Sequence, residues 1–391
     1  MENFTFYSPT EFVFGKDAEL QTGRMLAFYG AKKVFIHYGG GSVVRSGLLG
    51  RITSQLENLG IAYVLLGGAK PNPIDTLVYE GIDLVKKENC DFVLAVGGGS
   101  AIDSAKAIAA GALYDGDFWD FYDRKASIEK ALPMGVVLTI PAAGSEASQS
   151  SVITKTDGML KRGTVSRYYR PLFAIMNPEL TYTLPMYQTA AGIVDMMSHI
   201  FERYLTKSTG VDLTDRLAEG TLVSIIDAAR VILKDPNNYD ARATICWAGT
   251  IAHNGTLGVG RIEDWSTHAL EHELSALYDL THGAGLAVMF PAYMKYTLEE
   301  DVNRYAQLAE RVFGVPRTTD LRQMALQGIS ELEKFYHEIG MPLTFEEAKA
   351  SKKDIPLLIE KLRINRGERL GQFKSLTLED AKNIYLLACK N

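Results

Sequence analysis

The chain has little of several things, and each shortage narrows what it can be. Its 391 residues hold three cysteines, Cys90, Cys246 and Cys389, far apart and odd in number, with no CxxC pair. That argues against a disulfide framework and predicts free thiols in a reducing, cytoplasmic setting. No apolar run approaches the roughly 18 to 20 residues that a bilayer-spanning helix needs. The opening MENFTFYSPTEFVFG has an acidic second residue and no apolar centre, so it does not read as a signal peptide. Basic residues are outnumbered, 41 Lys and Arg against 47 Asp and Glu, for a formal charge of −6. With no basic stripe to offset that charge, no nucleic-acid partner is expected, and no membrane partner either. The G-x-G-x-x-G dinucleotide fingerprint is missing. Between Glu19 and Glu57 there is no carboxylate, although Arg24, Lys32, Lys33, Arg45 and Arg51 lie in that interval.

What is present reads as two domains. The length suffices for two cores. In the first half, KKVFIHY (32–38), IAYVLLGG (61–68), DFVLAVGGGS (91–100) and PMGVVLTIPA (133–142) are strand-like, and stretches with helical spacing separate them. Strands alternating with helices predict an α/β Rossmann-like domain with a parallel sheet. KKVFIHYGGGS and CDFVLAVGGGS repeat one strand–GGGS–helix form. From Thr183 the character turns helical, and Pro185 suits a first helical turn. The expected domains are therefore 1–184, α/β and dinucleotide-binding, and 185–391, all-helical. No flexible linker marks the boundary, which predicts that the halves share a cleft. The segment FTFYSPTEFVFG is strand-like and could pair with a second chain at a sheet edge.

Gly97, Gly98, Gly99 and Ser100 follow a strand and open a helix. Glycine lets the backbone approach a pyrophosphate, and a helix N-terminus offers free N–H groups. The alternative is a tight strand-to-helix turn and nothing more. Asp103 and Lys106, three apart, read as an ordinary helix pair. A carboxylate after the relevant strand would accept a ribose 2′-OH and repel a 2′-phosphate. Gly39, Gly40, Gly41 and Ser42 stand there instead, which predicts NADP(H) in preference to NAD(H), with NAD(H) still possible.

The densest chemistry lies in the second half. Asp195 and His199 are four apart in TAAGIVDMMSHIFERYL, so on a helix they share a face. His268, His272 and His282 fall within fifteen residues in HALEHELSALYDLTHG. One carboxylate and three imidazoles can hold a divalent ion, Fe2+ or Zn2+, and leave room for a substrate oxygen. Glu202, one turn beyond His199, is either a supporting partner or solvated. His37, His253 and His337 stand apart and read as ordinary histidines. Trp265 and Met196 are candidates for lining a substrate pocket, with core packing as the plainer alternative.

These motifs resemble a known family. FVFG (12–15), YGGGS (38–42), KPNP (70–73), VGGGSAIDSAKAIA (96–109), GSE (144–146), NPEL (177–180), TAAGIVDMMSHIFERY (189–204) and the His268–His282 block are similar to those of the iron-containing alcohol dehydrogenases. The closest branch is that of butanol dehydrogenases and NADPH-dependent aldehyde reductases, and the resemblance spans nearly the whole chain. It implies a dehydroquinate synthase-like architecture and a metal on Asp195, His199, His268 and His282. It implies proton transfer at His272, and cofactor contacts at Gly39, Gly40, Ser42, Gly98, Gly99, Ser100, Thr139, Ser145 and Lys161. It also implies a homodimer. Ala143 stands where a threonine is usual, Ser148 and Gln149 where Asn-Ala is usual, and RIEDW (261–265) replaces a more glycine-rich stretch. The activity implied is reversible hydride transfer between nicotinamide and short- to medium-chain primary alcohols and aldehydes. A metal-dependent lyase of the dehydroquinate synthase type on the same scaffold is the alternative; it would need a basic pocket, and Arg203 and Arg261 are the nearest cations to the metal motifs in sequence.

Overall fold

The computed structural model describes residues 1–389. Its contacts divide the chain into two compact units, Tyr7–Leu184 and the part from Pro185 onward joined by Met1–Phe6.

The first unit is built on a six-stranded, wholly parallel sheet. Its strands are β1 (Glu11–Phe14), β2 (Lys33–Tyr38), β3 (Ala62–Leu66), β4 (Phe92–Gly98), β5 (Met134–Ile140) and β8 (Phe173–Met176), and a separate hairpin comprises β6 (Ser150–Lys155) and β7 (Leu160–Val165). The spatial order is β1-β8-β5-β4-β2-β3. A parallel sheet covered on both faces needs continuous apolar strands. Accordingly Val34 to Ile36, Phe92 to Val96, Val136 to Leu138 and Phe173 to Met176 are all buried. The helices Leu48–Asn58, Asp75–Glu88 and Gly99–Gly111 return the chain from one strand to the next.

All four strands read from the sequence form, each shortened by a residue or more. Two features depart from the expectation. The helical stretch after β2 breaks at Gly47, whose φ of 72° separates Ser42–Arg45 from Leu48–Asn58. The strand-like opening yields only β1, which pairs in parallel with β8 of its own chain.

The second unit packs nine helices of eleven residues or more, among the described residues, around one apolar core. The helix Met186–Tyr204 lies at its centre, buried continuously from Thr189 to Tyr204. The unit is not entirely helical: Arg369–Leu370 and Leu376–Thr377 form a short antiparallel ladder. Nor does it begin at residue 185. The backbone N–H of Glu2 donates to Gly260 O at 2.8 Å, and Ser208 Oγ donates to the Glu2 carboxylate at 2.9 Å, so the first residues fold with this unit.

Candidate functional site

The helix Met186–Tyr204 carries Asp195 and His199 one turn apart, Ser266–Tyr278 carries His268 and His272, and His282 opens His282–Thr297. Gly283 lets the last of these approach the first. A Cβ there would strike the Ala191 carbonyl, so only glycine permits this spacing. The ligating atoms of Asp195, His268 and His282 all lie within 4.8 Å of one another. His199 stands beside them, its Nδ1 3.3 Å from Asp195 Oδ1 and its ring centroid 4.8 Å from that of His268.

The Nδ1 atoms of the three imidazoles have a common pattern. His199 Nδ1 donates to the backbone carbonyl of Asp195 at 2.9 Å. His268 Nδ1 donates to Glu202 Oε1 at 2.8 Å, and His282 Nδ1 donates to Glu271 Oε2. A carbonyl can only accept, so the proton of His199 sits on Nδ1 and its Nε2 lone pair is available. The carboxylates impose the same tautomer on the other two. The Nε2 of His268 is buried with no hydrogen-bond partner. Burial, then the neighbouring imidazoles and Arg203, push His199 and His268 well below the usual histidine range. Imidazoles held through Nδ1, with the Nε2 of His268 buried and unpartnered, beside the buried carboxylate of Asp195 are the donor set a divalent transition ion takes. The residues fit the expected metal.

Glu202 has a second task. It accepts from the backbone N–H groups of Trp265 at 2.8 Å and His268 at 2.9 Å, satisfying orphan donors at the start of Ser266–Tyr278. Trp265 itself adopts a left-handed φ of 67°. Its half-buried ring lies 5.1 Å from His268, 5.7 Å from His199 and 5.6 Å from His253, with the Arg203 guanidinium 4.8 Å from its centroid. The ring is thus beside the candidate ligands. Met196 is not: it is fully buried in the helical core.

His253 corrects the sequence reading. It does not stand apart; its ring is 4.2 Å from His199, and its Nδ1 accepts from Arg203 Nη2 at 3.1 Å. No short-range pattern links residue 253 to the others, so only the fold reveals it. His37 is a core histidine as expected, donating from Nδ1 to Leu66 O at 2.9 Å, and His337 is exposed. His272 is buried, 5.6 Å from His282 by ring centroids, with Arg366 Nη2 3.5 Å from its Nδ1. Glu271, which sequence reasoning passed over, forms a second close group with His272 and His282.

In the first unit the glycine loops converge. β5, β4 and β2 are neighbours, so Thr139 and Ser145, Gly98 to Ser100, and Gly39 to Ser42 follow one another across the C-terminal edge of the sheet. Ligands of open α/β sheets bind at that edge. Packing also requires two of the glycines: a Cβ on Gly97 would come within 2.8 Å of Ala101 Cβ, and one on Gly98 within 2.7 Å of Ile140 Cβ. Lys161, in β7, donates to Asn72 Oδ1 at 2.9 Å.

Asp103 and Lys106 are not an ordinary helix pair. Lys106 is fully buried and donates to Ser145 Oγ at 2.8 Å, Ser148 O at 3.2 Å, Ser148 Oγ at 3.1 Å and Ser150 O at 2.9 Å. Asp103 accepts from Ser145 Oγ at 2.5 Å and from the Val152 N–H at 2.9 Å. Together they fasten the segment 145–152 to the helix Gly99–Gly111. Burial pulls Lys106 down to about 8, against the opposing pull of Asp103 and Glu146.

A sheet edge of this kind and a three-histidine, one-carboxylate cluster define a class, and the comparisons with known proteins identify it. Residues 9–178 match the family described as iron-containing alcohol dehydrogenase, and residues 189–389 match the C-terminal domain of the Fe-containing alcohol dehydrogenase family. The chain belongs to the iron-containing alcohol dehydrogenase family. It is 42% identical over 386 residues to the probable NADH-dependent butanol dehydrogenase 1 of Bacillus subtilis (strain 168), covering 98% of this chain and 99% of that one. It is 36% identical over 388 residues to the NADPH-dependent aldehyde reductase YqhD of Escherichia coli (strain K12), covering 98% and 99%. The crystal structure of NADH-dependent butanol dehydrogenase A from Thermotoga maritima superposes with a TM-score of 0.97 at 39% identity, over 100% of this chain and 99% of that one. The expected fold class holds, and the lyase alternative is not favoured.

Proposed function

We propose that this chain is a metal-dependent NAD(P)H alcohol dehydrogenase and aldehyde reductase, interconverting short- to medium-chain primary alcohols and aldehydes of the butanol and butanal type. In this reading Asp195, His199, His268 and His282 hold Fe2+ or Zn2+. The observation that carries it is the shared tautomer of the three imidazoles, each anchored through Nδ1 with Nε2 left for an ion. A bound divalent ion supplies Lewis-acid polarisation of the substrate oxygen, and the nicotinamide supplies the hydride.

The chain's own residues do the rest. Gly98, Gly99 and Ser100 offer backbone N–H groups to the pyrophosphate. Thr139, Ser145 and Lys161 complete the cofactor contacts, with Ser145 fixed by Lys106 and Asp103. Gly39, Gly40 and Ser42 leave space for a 2′-phosphate, and no carboxylate there repels it. This supports NADP(H) as the preferred form with NAD(H) accepted. The named relatives include users of each. His272 gives or takes the substrate proton near neutral pH. Its burial beside His282 supports that role. Trp265 borders the substrate position. A homodimer fits the exposed Phe4, Phe6 and Tyr7 and the edge strand β1. A cytoplasmic setting fits the three free cysteines, and among the described residues no helix is long and apolar enough to cross a membrane.

The test is a steady-state comparison of NADPH and NADH with aldehydes of increasing chain length, using iron- or zinc-loaded protein. NADPH should give the higher kcat/KM with butanal. His268→Ala should lower turnover by more than about 100-fold, since a ligand should matter at least as much as its supporting partners. A clear NADH preference overturns the cofactor assignment, and unchanged turnover in the His268 variant overturns the metal assignment.

A further inference from the structure

We infer that Glu271 is a positioning residue for the metal centre, fixing the tautomer and aim of His282 and setting how tightly the ion is held. The inference rests on the metal assignment just proposed. Glu271 is fully buried on the helix Ser266–Tyr278, where an unpaired carboxylate would be costly. Its Oε2 accepts from His282 Nδ1, and the Nε2 of the same ring points to Asp195, 3.7 Å from Oδ1. One imidazole therefore stands between the two carboxylates, hydrogen-bonded to Glu271 alone. Glu271 keeps the proton on Nδ1 and makes Nε2 a better donor.

The neighbouring helix is shaped to admit this carboxylate. Gly285 faces it, and a Cβ at position 285 would lie 2.5 Å from Glu271 Oε1 and 2.9 Å from Glu271 Cγ. Here the absence of a side chain makes room for a charged one. Glu202 plays a similar part for His268, but it also caps the helix start, so its replacement mixes folding with metal binding. Glu271 accepts from His282 Nδ1 and is faced by Gly285, so it can be displaced without being replaced. Its effect on the ion can be measured separately.

The experiment is a Co2+ titration of metal-free protein against a competing chelator, read by visible absorption, for wild type, Glu271→Gln and Gly285→Ala. The glutamine keeps the volume and removes the charge. The alanine keeps the carboxylate and displaces it. Both variants should bind Co2+ about 10- to 100-fold more weakly, with a changed absorption band, while metal-free unfolding of Glu271→Gln stays close to wild type. If Glu271→Gln folds poorly, the Gly285→Ala titration decides the point. Wild-type affinity and an unchanged band in the variants overturn the inference and leave the metal assignment standing. Failure of the wild type itself to bind Co2+ overturns both.

Discussion

At the scale of single residues, burial decides which ionisable groups matter. His37 is the clearest case. It is sealed in β2 with Nδ1 committed to Leu66 O and Nε2 without a partner, and burial lowers it from the usual 6.5 to about 4. Between those two values the unfolded chain takes up a proton that the folded chain refuses. The contribution is therefore complete above pH 6.5 and disappears as pH falls toward 4, a loss of roughly 3 kcal/mol. His37→Gln, whose amide can still donate to Leu66 O, should not show this loss. Denaturant midpoints measured from pH 7 to pH 4 should converge for the two proteins, and parallel curves would refute the assignment. Nothing in the sequence distinguishes His37 from His253: each is a lone histidine in an apolar stretch. One proves to be a core residue and the other lies against His199, because long-range packing, not spacing, brings them to their places.

At the scale of elements, the sequence discloses what periodicity controls. The central parallel strands are legible because burial on both faces forces unbroken apolar runs, as in Phe92 to Val96. The hairpin of β6 and β7 is not, since SSVITK and LKRGTV are largely polar. The connecting Thr156-Asp157-Gly158 carries a hairpin signal that could have found it. Asp195 and His199 are legible as a pair because one helical turn separates them. The approach of their helix to His282–Thr297 is not, since it depends on Gly283 facing the Ala191 backbone. Gly283→Ala must push the two helices apart, because backbone cannot yield as a side-chain tip can. We expect a cost of about 1–3 kcal/mol and loss of most bound metal. Thermal unfolding with metal analysis of the purified variant would reveal it; a variant with wild-type stability and full metal content would contradict this reading.

At the scale of the whole molecule, the candidate metal site and the glycine loops belong to different compact units. The sequence changes from alternating strands to continuous helix near that division. It did not assign Met1–Phe6 to the second unit, because those residues attach through hydrogen bonds to Gly260 and Ser208 that leave no pattern. An ion that binds only the folded protein adds stability by mass action, about 2.7 kcal/mol at 100 times its Kd. Chelation should therefore lower hydrogen-exchange protection in Met186–Tyr204, Ser266–Tyr278 and His282–Thr297 while β2, β4 and β5 keep theirs. Equal loss in both units would contradict this. The order of the proposed ligands along the chain has one more consequence. A ribosome delivers Asp195 and His199 well before His268 and His282, so an emerging polypeptide would carry only half of the proposed chelate. On that assignment an ion would be captured only after the later helices have docked.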